Sequence, residues 1–463
     1  MSAVDPGLAG RVLKRALAGG GDFAEAYFED SEIASFRLDD GHIEVAGGGG
    51  EAGLGLRVIS GDVSAYAYST HLEESSLMNM ADNLSRALKS SSTEARILLA
   101  QPERSAAPQA VVASTVAAAD KIRLLWRCDQ TARSYGSEIR QVGASYFDLV
   151  RRIAVVNSEG WWSEEERHYV RLIMSVVAAR GELLQTALEA PAGQAGFEFF
   201  ESNPPEQVAK RAAERALTML DAELAPTGTM PVVLAPGSGG VLFHEACGHG
   251  LEADIVAKGS VYQGKLGETV GSPAVTLIDD PTLPQAWGSY HWDDEGTPAR
   301  RTVLVEKGVL RSYLCDRLFG RQLGLASTGN GRREDYRHLP IPRMSNIFLA
   351  PGDYSPEEVI SSVDEGLFAR KLGGGEVNPE TGEFVFSVSE GYRIRRGKLG
   401  PPVRGATLVG NGPTVLRSVR LVAGDLGFDP GTCGKDGQGV PVTCGQPTMS
   451  IEEMTVGGTR VEA

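Results

Sequence analysis

The sequence predicts an α+β protein, with an N-terminal half of antiparallel hairpins and helices followed by a β-rich C-terminal half. Three observations lead to this prediction. In the N-terminal half, alternating apolar and polar runs are separated by turn residues such as DDG and SGD, a pattern typical of antiparallel strands. Stretches with helical apolar spacing lie between these runs. The C-terminal half holds short β-type segments punctuated by Gly, Pro, Asp and Asn.

The elements of the N-terminal half follow a simple order. Asp5 and Pro6 mark the start of a helix that continues through LAGRVLKRAL. Alternation then predicts strands in AEAYFEDSEIASFRLDD, GHIEVAGG, GLGLRVIS and VSAYAYS. An amphipathic helix around 73–90, a linker over 91–114 and a helix near 115–135 come next. A second strand set, with its turn at NSEG, and a helix over 205–221 complete this half.

The pattern of residues changes near position 222, where we predict the boundary between an N-terminal domain (1–222) and a C-terminal domain (223–463). A short buried strand, MPVVLA, leads into a Gly-rich turn and then into the helical stretch GGVLFHEACGHGLEADIV, residues 239–256. The segments PAVTLIDD, RTVLVEKGVLRSYLCD and GEFVFSVSEGYRIRRGKLG predict strands. We expect this second domain to carry the chemistry, built around one metal-binding helix.

Charge and cysteine content exclude several classes of protein. The chain of 463 residues has 45 basic and 60 acidic residues and a net charge of −15, which argues against direct nucleic-acid binding. No run approaches the eighteen apolar residues of a membrane span. Five scattered cysteines do not form a disulfide framework. We therefore expect a cytoplasmic protein with reduced thiols and no membrane partner.

Two histidines of the stretch 239–256, His244 and His249, suggest a metal site with unusual spacing. Zinc peptidases commonly place two histidines four residues apart, whereas these are five apart. On a regular helix a five-residue spacing turns the side chains about 140° apart, instead of about 40° for four. Gly248 and Gly250 flank His249, and glycine accepts a bulged turn at little cost. One extra residue in that turn would bring both rings to one ion.

A catalytic zinc site needs a third protein ligand and an open position. The sequence offers Glu252, Cys433 and Cys444, with Cys247 a weaker candidate because it lies on the helix itself. Glu245 follows the ligand His244 directly, so we expect it to act as a general base that takes a proton from the activated water.

Other polar residues have both a functional and a structural interpretation. His338 is a candidate donor to the oxyanion, although a structural histidine in a loop is the more common case. His291 is a weaker ligand candidate in a loop of aromatic and acidic residues. Three arginines are candidates for pairing either a substrate carboxylate or nearby acids, and we favour the second: Arg332, Arg333 and Arg343.

Several blocks of the C-terminal half resemble the TldD/PmbA family of metallopeptidases. These are HEACGHGLEAD (244–254), DDEGTP (293–298), TGNGRRE (328–334), HLPIPRMSN (338–346), GGGEV with GEFVFSVSEGY (373–392) and CGKDGQGVPV to TVGG (433–458). Their order and spacing also match. In the N-terminal half only the general organisation is similar.

The resemblance implies the TldD-like branch, which carries HExxxH, because His244, Glu245 and His249 are present. It implies Zn²⁺ held by His244, His249 and Cys433, with Glu245 as the catalytic base. Cys444 stands where a small residue is expected, so the resemblance gives it no role.

The implied activity is hydrolysis of unfolded or short peptides, including leader peptides and an antitoxin, in a chamber formed with a PmbA/TldE-like partner subunit or in a homodimer. The N-terminal domain would then serve the chamber and dimerisation. Two alternatives are a non-catalytic PmbA-like assembly subunit and a zinc hydrolase acting on a non-peptide amide. Exposed strand edges would hold an extended peptide by strand addition.

Overall fold

The computed structural model describes residues 5–88, 97, 99–106 and 111–458 and has the predicted α+β architecture. The N-terminal strands are Phe23–Asp39 (β1), His42–Ser60 (β2), Val63–Ser69 (β3), Glu103–Ala106 (β4), Ile139–Asn157 (β5), Trp162–Arg180 (β6), Leu183–Glu189 (β7) and Ala192–Gly193 (β8). They form one sheet in the order β3-β2-β1-β5-β6-β4, with β7 and β8 also paired to β6.

The remaining strands all belong to the C-terminal half. They are Glu223–Leu224 (β9), Gly228–Leu234 (β10), Leu277–Asp279 (β11), Thr302–Glu306 (β12), Val309–Leu310 (β13), Gly331–Arg332 (β14), Ile341–Pro342 (β15), Asn346–Leu349 (β16), Glu365–Val377 (β17), Glu383–Arg395 (β18), Lys398–Arg404 (β19), Thr407–Asn411 (β20), Val419–Val422 (β21), Gly427–Lys435 (β22), Gln438–Gln446 (β23) and Met449–Gly457 (β24).

Among the described residues, the long α-helices all lie in the N-terminal half, and those of the C-terminal half are short. The α-helices are Pro6–Ala16 (α1), Glu74–Ala87 (α2), Ala118–Arg133 (α3), Phe199–Ser202 (α4), Pro205–Leu220 (α5), Gly240–Phe243 (α6), Ala253–Ala257 (α7), Arg317–Gln322 (α8), Pro356–Ser361 (α9) and Gly412–Ser418 (α10). Over the ranges that the structure describes, no helix has both the length and the apolar character needed to cross a membrane.

The N-terminal sheet presents its two faces to different partners. Even-numbered residues of β1 and β5, such as Ala26 and Tyr146, are buried in two apolar clusters with the helices α1, α2, α3 and α5. Odd-numbered residues such as Tyr27 and Ile153 instead pack against Tyr336 of the C-terminal half. Because side chains alternate along a strand, the single sheet separates the helical layer from the C-terminal half.

Two details of the N-terminal half differ from the sequence prediction. GHIEVAGG and GLGLRVIS were predicted as separate strands, but they form the single strand β2 because Gly47–Gly50 stays in register with β1. The predicted linker 91–114 lies partly outside the described residues, and its described part includes β4, which pairs in parallel with β6.

The contact between the two halves is rich in buried charge. Arg57 of β2 bonds Glu25 at 3.0 Å and also contacts Glu295 of the C-terminal half, and all three side chains are fully buried. Arg333 reaches the other oxygen of Glu25 at 2.7 Å. Removing one member of such a network leaves an uncompensated buried charge. The two halves are therefore joined by interactions that require both to be folded.

The C-terminal half combines a closed barrel with an open sheet. Strands β17, β10, β24, β20 and β18 pair in succession, and β18 pairs back to β17. The open sheet has the order β13-β12-β11-β16-β23-β22, so β22 is an edge strand. One apolar cluster includes Leu242 and Phe243 of α6 together with Cys433 and Cys444 of the last hairpin. This cluster positions the histidine segment against the hairpin β22–β23.

Candidate metal centre

The histidine segment is wound more loosely than a regular helix. A π-helical turn, His244–Gly248, follows α6, and a 3₁₀ turn, His249–Leu251, follows it. The extra residue predicted between the two histidines is therefore confirmed. The rings lie face to edge, with centroids 5.0 Å apart. A π-turn adds one residue to the turn, so a five-residue spacing places both rings on one side.

Position 248 requires glycine because a side chain would not fit there, and not because the backbone adopts a conformation that other residues avoid. Gly248 has ordinary helical angles, φ −60° and ψ −50°. A Cβ atom there would lie 2.2 Å from Sδ of Met344 and 2.9 Å from Cδ1 of Ile347. Similarly, a Cβ atom at position 250 would lie 3.0 Å from Cδ2 of Tyr262. The sequence prediction identified the bulge but gave these glycines the wrong physical reason.

The predicted single helix over 239–256 is interrupted at Glu252, which adopts extended angles (φ −76°, ψ 132°) before α7 begins. This break turns the Glu252 side chain back toward His249. Its Oε2 atom accepts a hydrogen bond from Nδ1 of His249 at 2.8 Å, and Oε1 accepts from the Met344 amide at 3.2 Å. Glu252 was considered as a third ligand, but here it orients His249 and leaves Nε2 to face the centre.

The hairpin β22–β23 brings Cys433 to the histidines. Its two-residue loop, Asp436 and Gly437, has positive φ angles of 51° and 75°, as a tight hairpin turn requires. Sγ of Cys433 lies 3.3 Å from Nε2 of His249. One ligand atom from each of His244, His249 and Cys433 falls within 4.8 Å of the others, and all three residues are buried. The third-ligand candidate named by the family resemblance is thus the one that meets both rings.

These three side chains have the donor chemistry of a zinc site. Imidazole nitrogen and thiolate sulfur are common zinc ligands. Both ring nitrogens of His244 are buried and have no hydrogen-bond partner among the described residues, an arrangement that is costly unless another group binds them. The residues present therefore fit a metal ion.

Electrostatic coupling among the three residues is strong. Burial alone would raise the pKa of the Cys433 thiol, but the positive charges of His244 and His249 lower it well below its ordinary value. Burial opposes charge on His249 as well, yet Glu252 and the Cys433 thiolate raise its pKa to about 9. The centre thus favours a thiolate beside imidazolium groups when these residues pair only with each other.

Cys444 lies closer to the centre than the sequence suggested. Burial disfavours a charged His244, but the thiols of Cys444 and Cys433 both lie beside this ring and raise its pKa well above its usual value. The proximity follows from packing, because Gly240 of α6 abuts the backbone of Cys444 and Gly445. A Cβ atom at position 240 would lie 2.4 Å from the Gly445 nitrogen. The sequence offers Cys444 as a third-ligand candidate, and the packing of α6 on β23 brings it beside His244.

Glu245 lies at the solvent side of the cluster formed by His244, His249 and Cys433. Its side chain is 30% exposed, whereas His249 beside it is 6% exposed, and Oε2 of Glu245 lies 3.6 Å from Nε2 of His249. The carboxylate therefore sits between the buried centre and solvent. From there it can accept a proton from a water molecule that enters the centre.

Lys435, which was not predicted, links the two ligand-bearing segments. It follows Cys433 on β22 and its side chain is only 8% exposed. Its Nζ atom lies 2.9 Å from Oε2 of Glu252, 2.9 Å from Oδ1 of Asp254 and 2.6 Å from the Pro342 carbonyl oxygen. In the sequence, the signal for this contact is a lysine two residues after the candidate ligand Cys433, with acids near the two histidines.

The remaining candidates have structural partners. Nδ1 of His338 bonds Asp335 at 2.8 Å, and Nδ1 of His291 lies 3.1 Å from Glu165 of β6. Neither belongs to the cluster of ligand atoms found among the described residues. The three arginines bind protein groups: Arg332 binds the Met344 carbonyl, Arg333 binds Glu25, and Arg343 binds the carbonyls of Cys433 and Gln438.

Family models match most of the chain. The PmbA/TldA metallopeptidase C-terminal domain matches residues 227–458, the central domain matches 113–220, and domain 1 matches 24–92. The region predicted as one N-terminal domain thus corresponds to two family models.

Similar proteins are known from bacteria and archaea. A metalloprotease TldD homolog of Haemophilus influenzae is 38% identical over 95% of this chain and 93% of its own. A zinc metalloprotease TldD homolog of Saccharolobus solfataricus is 30% identical over 73% and 76% of the two chains.

Solved structures share the fold at lower sequence identity. A Thermotoga maritima protein described as a modulator of a DNA gyrase has a TM-score of 0.81 at 23% identity and covers 98% of this chain and 100% of its own. TldE from Thermococcus kodakarensis has a TM-score of 0.78 at 20% identity, over 97% and 100% of the two chains. From the sequence matches, the chain belongs to the PmbA/TldD family of metallopeptidases and is a peptide-bond hydrolase.

Proposed function

We propose that this chain is a zinc-dependent peptidase of the TldD-like branch, with His244, His249 and Cys433 as the metal ligands and Glu245 as the general base. The observation that carries the proposal is the convergence of two imidazoles and one thiol beside a partly exposed carboxylate. The name of the Saccharolobus relative supports zinc as the metal. When bound, zinc acts as a Lewis acid that activates water and polarises the scissile carbonyl.

The protein's own residues supply the proton transfers and the alignment. Glu245 takes the proton of the attacking water and then delivers it to the departing amine. Glu252 holds the ring of His249 through its Nδ1 atom. Arg343 binds the Cys433 carbonyl and so fixes the strand that carries the thiolate.

The edge strand β22 is the proposed docking site for the peptide backbone. In a two-residue hairpin the residues flanking the loop form a hydrogen-bonded pair, and such pairs alternate along the ladder. Lys435 and Cys433 therefore bond toward β23, while the backbone groups of Thr432 and Gly434 point toward the free side. A peptide added there would pair on both sides of Cys433. Cleavage of N-methylated peptides at the normal rate would contradict this docking mode.

Backbone pairing of this kind suits unfolded or short peptides, including leader peptides and antitoxins, because it requires an extended segment and little sequence information. We also propose that the active assembly includes a PmbA/TldE-like partner subunit or a second copy of this chain. The fold shared with TldE supports a common architecture for such partners.

The decisive experiment replaces Glu245 with glutamine. The expected result is that Glu245→Gln retains stoichiometric zinc and loses peptide cleavage by at least about 100-fold, the lower range for a general base. The matched control is Glu182→Gln, an exposed carboxylate at the β6–β7 turn. Zinc content is measured by metal analysis, and cleavage of an unfolded peptide is measured with and without a chelator and partner subunit.

The same experiment separates the alternatives. A non-catalytic assembly subunit would show no chelator-sensitive cleavage, and Glu245→Gln would change nothing. A zinc hydrolase of non-peptide amides would cleave small amides in preference to the peptide panel. Either outcome would contradict the proposed peptidase.

A further inference from the structure

A cavity of about 480 Å³ lies between the N-terminal sheet and the hairpin that carries Cys433. Thr432, Gly439 and Pro441 of this hairpin line it. Side chains alternate across a strand, so these residues occupy the face opposite to Cys433 and its partner Val440. The cavity and the metal centre thus share one two-stranded wall. We refer to this space as the hairpin cavity.

Aromatic and aliphatic groups form much of the hairpin cavity. Tyr169 and Trp287 meet edge to face, with ring centroids 5.2 Å apart. Phe147 and Leu149 of β5 line the same space. Ile33 of β1 also lines it and is 45% exposed, although it is a large aliphatic residue. These groups offer an apolar surface to a long side chain.

The charged groups of the hairpin cavity are predominantly acidic. Four carboxylates and two guanidinium groups line it: Glu29, Glu51, Glu334, Asp335, Arg151 and Arg337. Four negative charges against two positive charges leave an excess of two carboxylates. This excess favours a cationic occupant.

Two of these carboxylates retain capacity for a ligand. The Glu334 carboxylate accepts the Gly439 amide at 2.6 Å through Oε2, and no other partner is found for it among the described residues. Glu51 accepts Tyr336 Oη at 2.6 Å and Arg337 at 3.1 Å, both through Oε1. By contrast, both oxygens of Glu29 are occupied, because Oε1 pairs with Arg151 at 3.1 Å and Oε2 accepts Tyr27 Oη at 3.2 Å and the Tyr336 amide at 3.1 Å. Glu334 and Glu51 are therefore the groups available to meet a cation.

We propose that the hairpin cavity is a specificity pocket for a lysine or arginine side chain of the substrate peptide. The proposal rests on the proposed function, because it assumes a peptide paired along the free edge of β22. Side chains of such a peptide alternate between the two faces of the sheet. When one residue faces the metal side, its neighbours face the side of Thr432 and the cavity. The aliphatic stem would pack on Trp287 and Tyr169 while the cationic end meets Glu334 and Glu51.

The test compares peptides that differ at one position next to the scissile bond, with Arg, Lys, Met, Phe or Glu at that position. We expect kcat/KM for the Arg and Lys peptides to exceed that of the Met peptide by about tenfold, as for a partly desolvated charge-assisted contact. Each flanking position is scanned in turn, because only side chains on the cavity side should show the preference. All reactions use the metal-loaded protein with its partner subunit.

The double variant Glu51→Gln with Glu334→Gln tests the pocket itself. Glutamine keeps an oxygen for the Tyr336 hydroxyl and the Gly439 amide, so the fold is preserved while both charges are lost. We expect the ratio of Arg to Met kcat/KM to fall toward one in this variant. Glu182→Gln, on the far edge of the N-terminal sheet, should keep the wild-type ratio.

Several results would overturn the proposal. Equal cleavage of the Arg, Met and Glu peptides by the wild type would do so, as would a preference for Phe over Arg. A double variant with an unchanged Arg to Met ratio and full zinc content would do so too. Failure of the wild type to cleave any peptide would instead refute the proposed function, so the two failures are distinguishable.

Discussion

Replacing Lys435 with methionine tests whether a buried cation holds the metal centre together. The Lys435 ammonium contacts the carboxylates of Glu252 and Asp254, each at 2.9 Å, in a site where the three side chains are 0–8% exposed. Methionine keeps the length of the side chain and removes the charge. Glu252 would then be a buried carboxylate that keeps, among the described residues, the hydrogen bonds from His249 and the Met344 amide.

The structure indicates the size of two effects. Breaking a buried ion pair from one side costs about 3–5 kcal/mol, and we expect the lower value because Glu252 keeps two hydrogen bonds. Loss of a partner that orients a metal ligand lowers metal affinity about 10–100-fold. Lys435→Met should therefore lower the free energy of unfolding by about 3 kcal/mol and weaken zinc binding within that range.

The two effects need separate measurements. Unfolding by urea is followed in chelator-treated protein, so that bound metal does not add to stability. Zinc affinity is measured by competition with a chromophoric chelator under native conditions. Lys435→Arg, which retains the charge, should recover part of both losses. Lys210→Met is the matched control, because its ion pair with Glu214 is exposed and 3.8 Å long; we expect about 0.3–0.5 kcal/mol there.

Wild-type zinc affinity in Lys435→Met would refute the idea that this lysine positions the centre. Loss of stability with unchanged affinity would assign Lys435 a role in folding alone. Loss of affinity with unchanged stability would show that Glu252 relaxes without cost once the ammonium is gone.

Two further predictions concern protons and packing at the centre. Glu252 and Cys433 raise the pKa of His249 to about 9, the thiols raise the pKa of His244 as well, and the two imidazoles lower the pKa of Cys433. We therefore expect both imidazoles of the metal-free protein to carry a proton near neutral pH and Cys433 to be a thiolate. Zinc binding should then release about two protons, which calorimetry in buffers of different ionisation enthalpy measures. Zinc affinity should rise with pH up to about 9. Release of one proton would contradict this distribution of charge. Gly248→Ala should destabilise the fold by about 1–3 kcal/mol through overpacking against Met344, measured by urea unfolding. Gly10→Ala, with no atom within 4 Å of the added Cβ, should be neutral or stabilising in helix α1, and equal effects of the two changes would contradict the packing argument.

The sequence predicted much of the fold because its signals were local. Alternation identified β5 and β6, and the helical spacing of 205–221 matches α5, Pro205–Leu220. Glycine misled the prediction in β2, where Gly47–Gly50 was interpreted as the end of a strand. There the ladder with β1 outweighs the low strand preference of glycine, because both flanks of the run are held in register.

Within the candidate metal centre, the sequence by itself determined what depends on neighbouring residues. Five-residue spacing of His244 and His249 requires an extra residue in the turn if both rings are to meet, and the π-turn provides it. The position of Glu245 beside the centre follows from the same local geometry, because it is adjacent to His244 in the sequence. The family resemblance, and no local pattern, selected Cys433 from three open candidates.

Only the tertiary structure decided what depends on distant segments. The break at Glu252 converts a possible ligand into the partner of His249 Nδ1, and Lys435 reaches that carboxylate from 183 residues away. Cys444 approaches His244 because glycines let α6 rest on β23. Periodicity in a sequence reports the conformation of one segment, whereas these contacts depend on how separate segments pack and on strand register. No pattern confined to either segment contains that information.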